Sequence, residues 1–496
     1  MPTVADLLIQ GLRQAGADRV FAVPGAASRP LLAAAEAYNL PVIRARSETA
    51  ACLMAAVTGE LSEAPGAAVV GRLVDALPGV AHARRDRAPM IVLTGADPDG
   101  AEPFPAVVKQ TQVVTADSAS HGIAHAARLA MKEPRGPVHL ALDARAAEAM
   151  AVPLATSPRP APLPAPEPAA LDTAAAVIVA ASRPLVVAGL GCRPDDAGWL
   201  RAFAEALPAP VLSTLKAKGA MPEPHPLSLG VVGIEPAPSV LGRADLIIAV
   251  GVDDAELGGR PWPATAPVLH IGRAPHAGES FRPTAEVVGE PGLILEELAP
   301  RLRGKARADW DVAEVDRLKR EWSARLRAPG FTAAAVVGIA RELTEAGTIA
   351  AIDGGEGMLG AALAWPAVAR GEGLVPNALA TAGFALPAAI AAALARPGRR
   401  VLCVARPAGL LRAVAELETA VSLALPIVIV ALDDEPASLD LVALARGFGV
   451  PALPAADEAG ARRALLAALG GRGPALVHAR VAARPEAVPA LPAALQ

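Results

Sequence analysis

The chain has 496 residues, a formal net charge of −4, and 53% hydrophobic against 19% charged residues. This length suits about three domains of ~150 residues, and the composition is that of a folded chain rather than a disordered one. The charge does not indicate nucleic acid or an anionic membrane as a partner, and no apolar run approaches the ~20 residues that span a bilayer. We expect a cytoplasmic protein.

The first third of the chain alternates helical patterns with short apolar runs. Residues 4–15 have apolar side chains at helical spacing, and a strand is predicted directly after them at 19–23. Further strands are predicted at 41–43, 66–70 and 90–94. Strands and helices that alternate at this interval are typical of a parallel sheet covered on both faces.

A second α/β unit follows a proline-rich segment. Residues 151–170 contain seven prolines and no periodicity, which indicates an extended linker. The unit at 171–298 has strands that end in glycine, among them the pair Gly189 and Gly191, but such a pair alone is a weak nucleotide signal. Three nearby cations could contact phosphates, but they are most simply solvated surface side chains: Lys216, Lys218 and Arg273.

The last third contains a strand–loop–helix–strand pattern. The apolar runs 401–404 and 426–432 predict two buried parallel strands, and 410–425 has apolar residues at helical spacing. The loop after the first strand of such a unit is where ligand chemistry is placed. With a charged helix predicted at 306–327, the sequence predicts three doubly wound parallel-sheet α/β domains, at 1–155, 170–300 and 330–496. We expect the outer two to share one topology.

The segment 401–434 resembles the diphosphate- and magnesium-binding segment of thiamine-diphosphate enzymes of the acetolactate synthase, pyruvate oxidase and 2-oxo-acid decarboxylase type. The family pattern is Gly-Asp-Gly after the first strand, Glu-Leu-x-Thr-Ala in the helix, Leu-Pro, a strand and Asn-Asn. Here ELETA at 416–420 and Leu-Pro at 425–426 keep the family spacing. The resemblance therefore extends to the frame of the site.

The residues that carry the family's chemistry in this segment are replaced. The Gly-Asp-Gly positions hold Arg406, Pro407 and Ala408, and the Asn-Asn positions hold Asp433 and Asp434. Proline offers magnesium no side-chain oxygen, and two adjacent carboxylates would repel a diphosphate that arrives without the metal. The guanidinium of Arg406 could pair with an anion directly, or it could pair with Asp433 or Asp434 and close the pocket.

The rest of the chain resembles the same family. AGADRVFAVPG and RARSETAACLMAAVTGEL match its pyrimidine-binding domain and place Glu48 where the family keeps a glutamate that bonds the cofactor's aminopyrimidine ring. Glu48 could equally be an ordinary acid in the first turn of a helix capped by Ser47. The segment at 382–389 resembles the family's Met-Gly-x-x-Leu-Pro, with Gly383 kept and the bulky residue replaced by Ala382.

In some family members the middle domain holds FAD, ADP or coenzyme A. SRPLVVAGLGC and RADLIIAVG match that domain, but the acid often found after its last strand is Gly272 here. FAD is therefore not expected. The resemblance also implies a homodimer or tetramer with the cleft at a subunit interface, and the apolar stretches 50–56 and 388–395 suit such an interface.

Two functional hypotheses follow. In the favoured one, the chain has lost the magnesium-dependent thiamine diphosphate site, needs no cofactor, and acts as a binding or regulatory protein or in diverged chemistry. A small anionic ligand could then meet the cofactor-site residues Arg406, Gly409, Asp433, Asp434 and Gly383, with no metal ligand among them. In the alternative, the chain is an active thiamine-diphosphate enzyme on a 2-oxo acid, with magnesium bound and Glu48 as the catalytic proton relay.

Overall fold

The computed structural model describes residues 1–26, 28–95, 106–142, 144–234, 236–257, 262, 264–302, 304, 308–326, 330–355, 357–377, 380–434 and 439–482. Three six-stranded sheets follow one another along the chain, and every pairing between their strands is parallel. Helices cover the sheets, which confirms the predicted fold class of three doubly wound α/β domains. No helix in the described ranges is long and apolar enough to cross a membrane.

The N-terminal domain has the strand order β2-β1-β3-β4-β6-β5. Its strands are β1 Val20–Ala22, β2 Val42–Arg44, β3 Gly66–Val70, β4 Met90–Gly95, β5 Thr111–Val113 and β6 Pro137–Leu142. Its helices are α1 Val4–Gln14, α2 Arg29–Ala37, α3 Glu48–Leu61, α4 Leu73–Arg85, α5 Ala119–Met131 and α6 Ala144–Glu148.

The middle domain has the order β12-β11-β10-β7-β8-β9, in which the chain direction across the sheet reverses between β7 and β10. Its strands are β7 Pro184–Ala188, β8 Val211–Ser213, β9 Ser228–Val231, β10 Leu246–Val250, β11 Val268–Gly272 and β12 Ala285–Val288. Its helices are α7 Pro168–Ala180, α8 Ala197–Ala206, α9 Ala237–Leu241, α10 Asp254–Leu257 and α11 Pro291–Arg301. The predicted linker therefore ends at 167, because Pro168 starts α7.

The C-terminal domain follows helix α12 Val312–Leu326, whose one buried residue is Val315, and has the order β14-β13-β15-β16-β18-β17. Its strands are β13 Ile349–Ile352, β14 Gly373–Leu374, β15 Val401–Ala405, β16 Ile427–Asp433, β17 Ala452–Ala455 and β18 Ala475–Arg480. Its helices are α13 Ala333–Glu342, α14 Leu359–Ala364, α15 Ala385–Ala395, α16 Pro407–Arg412, α17 Glu416–Ser422, α18 Leu441–Gly447 and α19 Glu458–Leu469. This order repeats that of the N-terminal domain, which confirms the predicted likeness of the outer two.

The single helix predicted at 410–425 is wrong. The chain instead forms two short helices, α16 and α17, separated by the turn at 413–415. Pro407 starts α16, because proline fits the first helical position, where its missing N–H is not needed. The turn gives α17 a new start at Glu416, whose buried side chain contacts the N-terminal domain.

The stretches assigned to a subunit interface are covered within one chain. Helices α3 and α15 pack against each other, and residues 50–56 and 388–392 are buried in one shared core of the outer domains. Their small alanine side chains allow the two helix backbones to approach closely. These stretches therefore do not support an interface between subunits, and the homo-oligomer remains a prediction.

Candidate functional site

The candidate site lies at the carboxyl ends of three adjacent parallel strands of the C-terminal domain. Asp353 follows β13, Arg406 follows β15, Asp433 is the last residue of β16, and Asp434 follows it. Because parallel strands present their carboxyl ends at one edge, residues that are distant in sequence meet there. Arg406, Asp433 and Asp434 were predicted from the sequence, whereas Asp353 was not predicted as a site residue.

Asp353 is the buried centre of this edge, with 3% of its surface exposed. Its carboxylate accepts hydrogen bonds from the backbone N–H groups of Gly383 at 3.1 Å, Phe384 at 2.8 Å and Ala385 at 3.4 Å. Burial raises the pKa of this carboxyl, although the backbone hydrogen bonds act to lower it. The start of α15, a natural position for an anion, is thus occupied by a carboxylate of the chain itself.

The two predicted glycines are required by close packing around Asp353. A Cβ at Gly409 would lie 1.8 Å from Asp353 Oδ2, so no larger residue fits there. Gly383 has a φ of +85°, in the left-handed region, and a Cβ there would lie 2.9 Å from Arg412 Cβ. Both glycines therefore allow α16 and the start of α15 to approach Asp353.

Each of the two aspartates has a side-chain partner within the chain. The guanidinium of Arg406 lies 2.6 Å from Asp434 Oδ1, and the two side chains are 30% and 22% exposed. Asp433 lies 2.9 Å from Nε2 of His478 on β18, and both side chains are buried. Of the two roles considered for Arg406, the structure has the guanidinium in an internal pair.

Glu48 is the first residue of α3 and is half-buried. The Ser47 hydroxyl accepts a hydrogen bond from the N–H of Ala50 at 3.2 Å, which is the geometry of an ordinary helix cap. A Cβ at Gly71 would lie 3.6 Å from Glu48 Oε1. Among the described residues, no hydrogen bond or ion pair joins Glu48 to Arg406 or to the two aspartates.

Glu416 is a residue whose role the sequence analysis missed. It is 1% exposed and accepts hydrogen bonds from the backbone N–H of Arg46 at 2.8 Å and from the Thr419 hydroxyl at 2.8 Å. Burial raises its pKa, against the effect of these hydrogen bonds. Glu416 therefore fixes the C-terminal domain against the segment that leads into Glu48. The only signal in the sequence was a charged residue inside an apolar helical stretch.

A buried polar cluster joins the N-terminal and middle domains, and it was not predicted from the sequence either. Glu60, His82 and Asp86 lie close enough to hold a metal ion. However, the ammonium group of Lys216 lies 2.7 Å from Glu60 Oε2 and 2.8 Å from Asp86 Oδ2. Since a cation of the chain already fills this cluster, a metal site is not inferred. Asp86 also accepts a hydrogen bond from the N–H of Asn377 at 3.1 Å, so the cluster contacts the C-terminal domain as well.

The three cations of the middle domain are not solvated, so that prediction is wrong. Lys216 is in the cluster above, Lys218 lies 2.6 Å from Glu223 and is 1% exposed, and Arg273 lies 2.9 Å from Asp196 and is 6% exposed. Their charges are neutralised by carboxylates of the same chain. The sequence could not show this because the partners are 5 to 156 residues away.

The glycine turn of the middle domain is filled by Glu256. Its carboxylate accepts hydrogen bonds from the N–H groups of Leu190 at 2.9 Å and Asp253 at 3.1 Å. A Cβ at Gly189 would lie 2.7 Å from Glu256 Oε2. At Gly272, where an acid is often found, a Cβ would lie 2.7 Å from the His270 ring. Glu256 and His270 therefore pack closely against the two glycines, and the absence of FAD stays a prediction.

Glu256 leads to a prediction about pH. Burial raises the pKa of its carboxyl from 4.5 to about 7. The folded chain therefore holds a proton that the unfolded chain releases between these values, so the free energy of unfolding should fall as pH rises from about 4.5 to about 7. In Glu256→Gln the free energy of unfolding should fall less over this pH range, by about 2–3 kcal/mol. Urea unfolding of both proteins at pH 5 and pH 7.5 measures the difference. An equal change in the free energy of unfolding between the two pH values in the variant and the wild type would contradict the prediction.

Comparisons with known proteins agree with this architecture. Residues 2–120 match the thiamine pyrophosphate enzyme N-terminal TPP binding domain, 171–298 the central domain, and 353–439 the C-terminal TPP binding domain. The large subunit of acetolactate synthase isozyme 1 of Escherichia coli (strain K12) is 27% identical over 99% of this chain and 96% of its own length. The acetolactate synthase large subunit of Parasynechococcus marenigrum is 29% identical, over 98% and 89%. The putative thiamine pyrophosphate-containing protein YdaP of Bacillus subtilis is 27% identical, over 87% and 80%.

Proposed function

The chain belongs to the thiamine pyrophosphate enzyme family, and from that premise we propose that it is an acetolactate synthase-like member without the usual magnesium-dependent cofactor site. It acts as a binding or regulatory protein, or catalyses diverged chemistry in the remodelled cleft. The observation that carries this proposal is the ion pair of Arg406 with Asp434, at 2.6 Å, beside a proline that starts α16.

The residues at the strand ends do not fit a diphosphate bound through magnesium. Magnesium requires near-octahedral oxygen ligands and dehydrates reluctantly. Pro407 supplies no side-chain oxygen, and Arg406 and His478 already pair with the two aspartates of β16. Asp353 already accepts the backbone N–H groups at the start of α15. A metal-bound diphosphate would have to break these contacts in order to enter.

Electrostatics supports the same proposal. A diphosphate arrives with a charge of about −2 to −3, by analogy with ionised phosphate groups. Asp353, Asp433 and Asp434 are three carboxyl groups at the edge that such a ligand would approach. Arg406 would have to exchange Asp434 for the ligand, which leaves that aspartate partly buried without its partner. The fold of the family is thus retained around a site of different chemistry.

The alternative function is that of an active enzyme on a 2-oxo acid with Glu48 as the proton relay. One observation favours it: Glu48 is the first residue of α3, is half-buried, and has its carboxylate beside Gly71, which has no side chain. A carboxyl group in this position could exchange a proton with a ring nitrogen. The capping geometry of Ser47 accounts for the same position without any catalytic role.

Titration of the full-length protein with thiamine diphosphate and magnesium separates the two functions. We expect no measurable heat of binding and no decarboxylation of pyruvate or other simple 2-oxo acids. The replaced family residues at Arg406, Pro407 and the end of β16 would all contact the same bound diphosphate, so the effects of their replacement should compound. A Glu48→Gln variant is assayed in parallel. Micromolar binding that requires magnesium, or turnover that Glu48→Gln abolishes, would restore the enzyme hypothesis.

A further inference from the structure

A cavity of about 120 Å³ lies where the three domains meet. This volume is far above the roughly 10–15 Å³ that one water molecule needs, so a small ligand can fit. The cavity includes Ile349 at the amino end of β13, whereas the candidate site described above lies at the carboxyl ends of the same sheet. The two sites are therefore distinct.

The lining of the cavity carries an excess of positive charge, with seven basic and four acidic side chains. Four of the basic groups are paired with carboxylates: Arg87, Arg135, Arg193 and Lys216. Among the described residues, the other three have no carboxylate partner: Arg370, Arg396 and Arg399. Since Arg87 pairs with Asp253 outside the lining, the local excess is about two charges.

The three unpaired guanidinium groups still have hydrogen-bond donors to offer. Arg370 donates to three main-chain carbonyls of the middle domain, among them that of Cys192 at 3.0 Å. Arg396 donates to carbonyls at the ends of α3 and α15. The Arg399 side chain is exposed and makes no hydrogen bond to another described residue. A guanidinium has five N–H groups, so each retains at least two for a ligand.

Two features of the cavity oppose or restrict an anion. The carboxyl ends of α3 and α15 contribute about −0.5 each, which reduces the positive excess without cancelling it. The Oε1 atom of Glu60 is buried in the lining and has no hydrogen-bond partner. This oxygen requires a donor, so a suitable ligand combines negative charge with a proton that it can donate.

We propose that the cavity binds a small phosphate-type anion in its hydrogenphosphate form. Its oxygens accept N–H groups from Arg370, Arg396 and Arg399, and its P–O–H group donates to Glu60. Because these side chains come from the N- and C-terminal domains, and Arg370 also holds the middle domain, the bound anion ties all three domains together.

The test uses inorganic phosphate and the full-length protein. Thermal unfolding is followed against phosphate concentration at constant ionic strength, with chloride as the balancing anion, and affinity is measured by calorimetry. We expect a saturable rise in Tm for the wild type. Arg399→Gln, an exposed position that should fold normally, should weaken affinity at least tenfold. Arg400→Gln is the matched control, since Arg400 is not in the lining and donates to the Gly471 carbonyl at 3.3 Å.

Sulfate tests the role of Glu60. At neutral pH sulfate carries no proton, so we expect the wild type to bind it at least tenfold more weakly than phosphate. In Glu60→Gln, whose amide can donate, this preference should disappear. No saturable binding, equal affinity in Arg399→Gln and the wild type, or no preference for phosphate over sulfate in the wild type would each overturn the proposal.

Discussion

Replacement of Lys216 by methionine should lower the free energy of unfolding by about 3–5 kcal/mol, which is the usual cost of removing one partner from a buried ion pair. The ammonium group lies between Glu60 and Asp86, and the side chains of Lys216 and Asp86 are 7% and 0% exposed. Methionine has a similar length but no charge. The variant would therefore leave two carboxylates buried side by side without a cation.

The loss of stability in Lys216→Met should increase as pH rises. Burial already raises the pKa of Glu60, and loss of the lysine would raise it further, because the nearby positive charge acts to lower it. The folded variant then binds protons that the unfolded chain has released, so its stability falls as pH rises. We expect a larger loss at pH 8 than at pH 5, measured by denaturant unfolding at both values.

The control for Lys216→Met is Arg201→Met in the middle domain. Arg201 pairs with Glu205 at 2.9 Å, but the two side chains are 52% and 43% exposed, so its loss should cost under about 0.5 kcal/mol. Adding Glu60→Gln and Asp86→Asn to Lys216→Met should recover part of the stability, because the unpaired charges are then removed. A deficit below about 1 kcal/mol, or one that is equal at both pH values, would contradict this account of the cluster.

Replacement of Gly409 by alanine should destabilise the C-terminal domain by about 3 kcal/mol or more. The added Cβ would lie 1.8 Å from Asp353 Oδ2, so either α16 or the carboxylate has to move. Movement of the carboxylate would release the backbone N–H groups of Gly383 and Phe384, which are buried. Chemical denaturation of the variant and the wild type measures the loss.

Gly447→Ala is the matched control for Gly409→Ala. Gly447 is also helical, at the end of α18, but a Cβ there meets nothing within 4 Å. This substitution should be neutral or stabilise by up to about 1 kcal/mol through helix propensity. In an Asp353→Ala background the penalty of Gly409→Ala should shrink by at least about 1 kcal/mol, since the clashing oxygen is absent. An unchanged penalty there would mean that Asp353 is not the cause.

The sequence by itself determined the architecture of this protein. Apolar runs of strand length that alternate with helical patterns predicted three parallel α/β domains, and the ELETA and Leu-Pro spacing placed the C-terminal unit in its family. These are local signals, because the period of the apolar residues and the positions of glycine and proline depend on neighbours in the chain. The identities of Arg406 and Pro407 were equally visible, and they carry the main argument about the cofactor.

Only the tertiary structure decided which charged groups meet. Glu416 contacts Arg46 across 370 residues, Lys216 contacts Glu60 across 156, and Asp353 receives the N–H groups of residues about 30 positions later. No periodicity predicts such contacts, since they arise from how separate domains and parallel strand ends come together. For the same reason the sequence left two roles open for Arg406, and the pairing with Asp434 required the adjacent ends of β15 and β16.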